Sequence, residues 1–126
     1  MYTFKQMINA TPRNIIMNAS HVLLLPFKSS ESTDEQGQFS YYLYHGRDKD
    51  GMRKVQIKIY NGRYTWIHCD CPWFQYNCEV ALSLKNSSSL INSNGQVSKT
   101  TNPMMKPLLC KHAYRSIMDL MTRKLI

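Results

Sequence analysis

Several things are missing from this 126-residue chain, and each absence excludes something. No apolar run approaches the length needed to cross a bilayer. The longest, His21–Phe27, is interrupted by Pro26 and suits a buried strand instead. The segment Met1–Gln6 has no charged-then-apolar organisation of a secretory signal, so the expected location is the cytoplasm or something assembled there. There is no internal repeat. There are also no paired carboxylates, no glycine loop able to cradle phosphate and no activated nucleophile. The expectation is therefore a protein that binds rather than one that catalyses, with no membrane and no small-molecule substrate as partner.

Acidic side chains are scarce in one part of the chain only. Residues 1–50 carry five basic and five acidic side chains, whereas residues 51–126 carry eleven and three, so the whole net charge of +8 lies in the second part. A basic segment of this kind can face phosphate, face an acidic protein or stay solvated. Arg53, Lys54, Lys58 and Arg63 cluster around Tyr60 and are the candidate contacts for nucleic acid or a partner. The competing reading is a solvated sheet edge kept from aggregating by its charges. Tyr41, Tyr42 and Tyr44 read as core and interface filler more than as a stacking platform.

What is present is a hydrophobic content of 43%, enough for a thin core in a single domain spanning 1–126. Thr11-Pro12 reads as a helix start, with Thr11 as the cap. His21–Lys28 reads as a strand, Ser29–Gln38 as a polar, acidic and mobile loop, Phe39–His45 as an aromatic strand and Gly46–Gly51 as a turn. Asn61-Gly62, between the β-rich runs Val55–Tyr60 and Arg63–Cys69, is a hairpin turn. A two-residue loop pairs Tyr60 with Arg63, Ile59 with Tyr64 and Ile57 with Trp66. It puts Val55, Ile57, Ile59, Tyr64, Trp66 and His68 on one face, with Cys69 and Cys71 leaving the strand on the other. A helix is expected over Trp73–Lys85, with Trp73, Tyr76, Val80 and Leu84 as its apolar stripe and Glu79 opposite. Asn86–Thr101 reads as loop, and Lys111–Leu125 as the last helix, with Ala113, Tyr114, Ile117, Met118, Leu120 and Met121 on its apolar face.

Four cysteines without an export signal are expected to be reduced thiols, which favours metal binding over disulfides. Cys69-Asp70-Cys71 supplies one pair of ligands at a strand end, and Cys110-Lys111-His112 a second at a helix start. Positions i and i+2 of a regular helix point roughly 200° apart, so Cys110 must precede the helix and His112 must fall in its first turn. Cys78 is the rival ligand, with a buried thiol as its alternative. His68 reads as core, and His21 and His45 are isolated.

This CxC…CxH pattern resembles the SWIM-type zinc finger, a ββα zinc module, over roughly Val55–Met121. The resemblance implies one structural zinc ion per chain on Cys69, Cys71, Cys110 and His112. It also implies an α+β fold in which a small antiparallel sheet and one or two helices are cross-linked by the metal. The module is expected over 53–122 with a long insertion at 72–109, preceded by an extension at 1–50 carrying one or two strands. Cys71-Pro72-Trp73-Phe74, Asn102-Pro103 and Leu109-Cys110-Lys111-His112 resemble the long-insertion modules of small tailed-bacteriophage proteins. That likeness implies a virion or assembly component in the virion or host cytoplasm, acting through protein–protein contacts. The alternative is a DNA- or RNA-binding accessory factor.

Overall fold

The computed structural model describes residues 1–93, 95 and 102–126. The fold is α+β. Strands β1 (Leu23–Leu24), β2 (Lys28–Asp34), β3 (Gly37–Asp48), β4 (Gly51–Tyr60) and β5 (Tyr64–Cys69) form one antiparallel sheet. Its order is β1-β3-β4-β5, with β2 also paired to β3. Five helices accompany it among the described residues: α1 (Phe4–Ala10), α2 (Arg13–Ala19), α3 (Pro72–Asn77), α4 (Glu79–Ser83) and α5 (Lys111–Thr122). Helix α5 packs on β3, β4 and β5 and against α2, while α3 packs on β5. The core between helices and sheet is built from Val55, Ile57, Ile67, Phe74, Leu109, Ile117 and Leu120, all fully buried.

The N-terminal helices differ from the sequence expectation. Thr3 and Gln6 form a reciprocal capping box that starts α1. Thr11 then ends α1 instead of capping α2, and its hydroxyl donates to the Met7 carbonyl at 2.8 Å. Of the strand expected over His21–Lys28, Leu23 and Leu24 pair with Arg47 and Gly46 of β3, and Lys28 opens β2 opposite Leu43. The expected loop at Ser29–Gln38 is instead the hairpin of β2 and β3, paired from Lys28↔Leu43 to Asp34↔Gly37. Its turn is stabilised by the Asp34 carboxylate accepting from the Gln36 N–H at 2.8 Å and by Gly37 at φ +118°. Six of the seven β2 residues are exposed, so no hydrophobic alternation marks the strand.

The hairpin of β4 and β5 forms where expected, with Asn61 and Gly62 both at positive φ. The Arg63 N–H closes the turn onto the Tyr60 carbonyl at 3.1 Å. Arg63 then stands outside the ladder as an extra residue, its carbonyl accepting from the Phe4 N–H at 3.3 Å. The register is therefore Tyr60↔Tyr64, Ile59↔Thr65, Ile57↔Ile67 and Val55↔Cys69. One added residue flips every β5 side chain. Thr65, Ile67 and Cys69 join Val55, Ile57 and Ile59 on the buried face, while Tyr64, Trp66 and His68 lie on the other.

The helix expected over Trp73–Lys85 is broken at Cys78 (φ −118°) into α3 and α4. The buried stripe is Phe74, Cys78, Ala81 and Leu82, whereas Tyr76 and Leu84 are 67% and 65% exposed. Residues 86–93 form neither helix nor strand, as expected; residues 94 and 96–101 of that loop lie outside the described residues. Buried within this region is Glu79, fully enclosed. One carboxylate oxygen accepts from the backbone N–H groups of Ile91, Asn92 and Ser93, and the other meets His68 Nε2 at 3.1 Å. Burial pushes the Glu79 pKa up, but these donors outweigh it and hold the carboxyl below its ordinary 4.5. Glu79→Gln is expected to destabilise the protein by about 2 kcal/mol, because three part-buried N–H groups lose a charged acceptor. A depressed folded pKa contributes stability above the unfolded value that is lost as pH falls through the folded one. The wild type should therefore weaken on acidification below about pH 4.5 more steeply than the variant, which denaturant titrations across pH would show.

Candidate metal centre

The sheet and two helix starts aim four side chains at one point. Cys69 ends β5 and faces the core opposite Val55. The Asp70 N–H still bonds to the Lys54 carbonyl, at 3.2 Å, which carries the strand geometry one residue further. Cys71 is the N-cap of α3, with Pro72 in the first turn, and its Sγ accepts from the Phe74 N–H at 3.4 Å. Cys110 is likewise the N-cap of α5, and its Sγ accepts from the Ala113 N–H at 3.4 Å. His112 follows in the first turn of α5, the placement that the CxH spacing demands. One potential ligand atom from each of Cys69, Cys71, Cys110 and His112 lies within 4.8 Å of all the others, and all four residues are buried.

The approach to Cys110 is held by polar groups. The Asn102 amide donates to the carbonyls of Asn77 and Lys106, at 2.8 and 2.9 Å, and its oxygen accepts from the Lys106 N–H at 3.0 Å. The Leu109 N–H donates to the Thr11 hydroxyl at 3.1 Å, tying this segment to the end of α1. Gly46 completes the fit on β3: a Cβ there would stand 2.9 Å from Val22 Cγ1 and 3.8 Å from His112 Cδ2.

Burial pushes the thiols of Cys69 and Cys110 well up, while hydrogen bonds from those two thiols hold Cys71 far down. The three sulfurs share one buried pocket, two of them at the starts of helices. His112 is oriented from outside. Its Nε2 lies 3.1 Å from the Asp48 carboxylate, at the last residue of β3. That carboxylate is enclosed, and burial raises its pKa, but Lys111 Nζ at 2.7 Å and the Asp50 N–H hold it below the ordinary range. An ionised carboxylate can only accept, so Nε2 carries the proton and Nδ1 is left with its lone pair. His112 Nδ1 is buried and has no hydrogen-bond partner. Three converging sulfurs and an orphaned imidazole nitrogen are a donor set suited to one metal ion.

Cys78 stands outside this group as a fully buried thiol, its pKa raised well up by burial. His68 is enclosed against Glu79 and Phe74. Asp48 was missed in the sequence, where Asp48-Lys49-Asp50-Gly51 reads as nothing more than a turn. The only available signal was that a ligating histidine needs an acceptor for its second nitrogen.

Arg53 stands apart from the other three basic residues. Arg53 lines a groove of about 630 Å³ beside the metal centre, together with Asn14, Asn18, Trp73 and Lys111. Lys54 and Lys58 alternate to the other face of β4, and Lys58 pairs with Asp34 at 3.6 Å. Arg63 lies in the turn, stacked 4.9 Å over the Tyr64 ring. Among the described residues, no helix is long and apolar enough to cross a membrane. No protein-family model, curated protein or solved structure matches the chain.

Proposed function

We propose that this chain is a zinc-stabilised interaction protein, non-catalytic, in which Cys69, Cys71, Cys110 and His112 hold one structural zinc ion. The observation that carries the reading is His112 Nδ1, a buried nitrogen with no protein partner, facing three cysteines while its sister nitrogen is taken by Asp48. A buried acceptor left without a partner costs free energy, and a metal ion is the partner this donor set suits. Three thiolates and one imidazole fill a tetrahedral shell, which favours a structural over a catalytic ion. Bound there, the ion would cross-link the end of β5 to the starts of α3 and α5. The CxC…CxH pattern and its flanking Cys-Pro, Asn-Pro and Leu-Cys-Lys-His pieces support a SWIM-like module of the tailed-phage kind, hence a particle or assembly component acting through protein contacts.

Native mass spectrometry before and after a strong chelator tests the metal reading. One zinc per chain is expected, lost together with folded structure; a metal-free chain that keeps its fold would refute it. The phage reading stands or falls on whether the protein is recovered in purified particles.

A further inference from the structure

Helix α5 packs on one side of the sheet, and the far face of β3, β4 and β5 carries rings and cations where Glu79 and Phe74 do not cover it at His68. Tyr41, Lys58 and Trp66 stand side by side across three strands, and the next row is Phe39, Tyr60 and Tyr64. Neighbouring strands are about 4.8 Å apart, so the two partly exposed rings of each row stand roughly 10 Å apart, room for each to take a base of its own. Phe39, Tyr41, Tyr64 and Trp66 are all partly exposed. The Lys58 ammonium lies 5.0 Å from the Phe39 centroid and 4.8 Å from that of Trp66, so these rings turn their faces towards a cation on the open side. Among the described residues, the segment around Ser89, which accepts from Trp66 Nε1 at 3.1 Å, and the N-terminal segment, where Thr3 bridges to Tyr64, border these rows.

We infer that this face binds single-stranded nucleic acid, with unpaired bases stacking on the rings and the backbone held by surrounding cations. The charges are complementary: exposed Lys28 and Lys54 face this side with Lys58, Arg63 lies over Tyr64 at its border, and Asp34 at one end is the acidic side chain that Lys58 meets. A sheet face presenting ring faces favours unpaired bases, because those of a duplex are already stacked on one another. An acidic protein would satisfy the cations but leave the exposed rings unexplained. The inference is independent of the metal reading, since none of these residues belongs to the metal centre.

The test is fluorescence anisotropy of the full chain with a labelled oligothymidylate of about fifteen nucleotides, and with a duplex of equal length, at low and physiological salt. The single strand should bind about tenfold or more tightly than the duplex and weaken with salt. Tyr41→Ser and Lys54→Glu should each weaken it about tenfold at unchanged melting temperature, whereas Lys5→Glu in α1 should not. Equal affinity for duplex and single strand, with no response to Tyr41→Ser, would reduce the binding to net-charge attraction and overturn the inference. So would the absence of binding to either, including the case in which a protein partner is found to occupy this face.

Discussion

Cys110→Ser is expected to release the metal and unfold at least the region joined through it, which the loss of bound zinc and a collapse of the thermal transition would register together. Serine keeps the volume and can still cap α5 through its oxygen, so the cap survives and the metal ligand does not. Structural zinc sites bind with about 10–16 kcal/mol near neutral pH, and that binding energy is folding energy. The whole stability of an ordinary domain is about 5–15 kcal/mol. Joining Cys71 to Cys110 also closes a loop of roughly 40 residues, worth about 4 kcal/mol for a covalent link of that span. Without the ion the same pocket becomes a liability, because three sulfurs and a bare imidazole nitrogen are buried with too few partners. Cys78→Ala is the control. It removes an equally buried sulfur from the same core but from outside the cluster, so it should cost about 1–2 kcal/mol and leave one zinc per chain. A Cys110→Ser protein that melts like the wild type would show that the fold does not depend on the metal.

How far the sequence reveals this arrangement depends on which physical rule each residue obeys. The convergence of Cys69, Cys71, Cys110 and His112 was legible because short ligand spacings leave few geometries, and helix geometry alone places Cys110 before α5. The hairpin turn was legible in Asn61-Gly62, but its register was not. Nothing local tells whether Arg63 pairs or bulges, and the answer lies in the distant N–H of Phe4 that its carbonyl accepts. Strand β2 escaped notice because Lys28–Asp34 extends from the sheet with both faces towards solvent, leaving only backbone pairing to define it. Glu79 misled the helix reading for the opposite reason. A carboxylate is expected outside, yet three backbone N–H groups and His68 offset its burial, and the stripe that faces the core is Phe74, Cys78 and Leu82.

Asp48→Asn is expected to weaken zinc binding by about 10–100-fold with the four ligands untouched. Asp48 accepts from His112 Nε2 at 3.1 Å and from Lys111 Nζ at 2.7 Å, so the one carboxylate fixes both the tautomer and the ring orientation of the ligand beside it. Asparagine has nearly the same shape but no charge. It binds Lys111 more weakly, and its amide can donate to Nε2, which would favour the tautomer whose proton sits on Nδ1, where the metal should be. Competition with a chromophoric chelator would measure the loss. Nitrogen shifts of the His112 ring would separate positioning from general destabilisation, since the wild type should show a protonated Nε2 and a metal-bound Nδ1. An affinity within about twofold of the wild type, with that ring signature unchanged, would mean that α5 alone orients the histidine. The expected loss would have a structural consequence for the chain as a whole. Asp48 comes from the long β2–β3 hairpin, ahead of the segment that carries all four ligands. The first 50 residues would then complete the metal centre, which explains why β3 runs on to Asp48 instead of ending at His45, where its aromatic pattern stops.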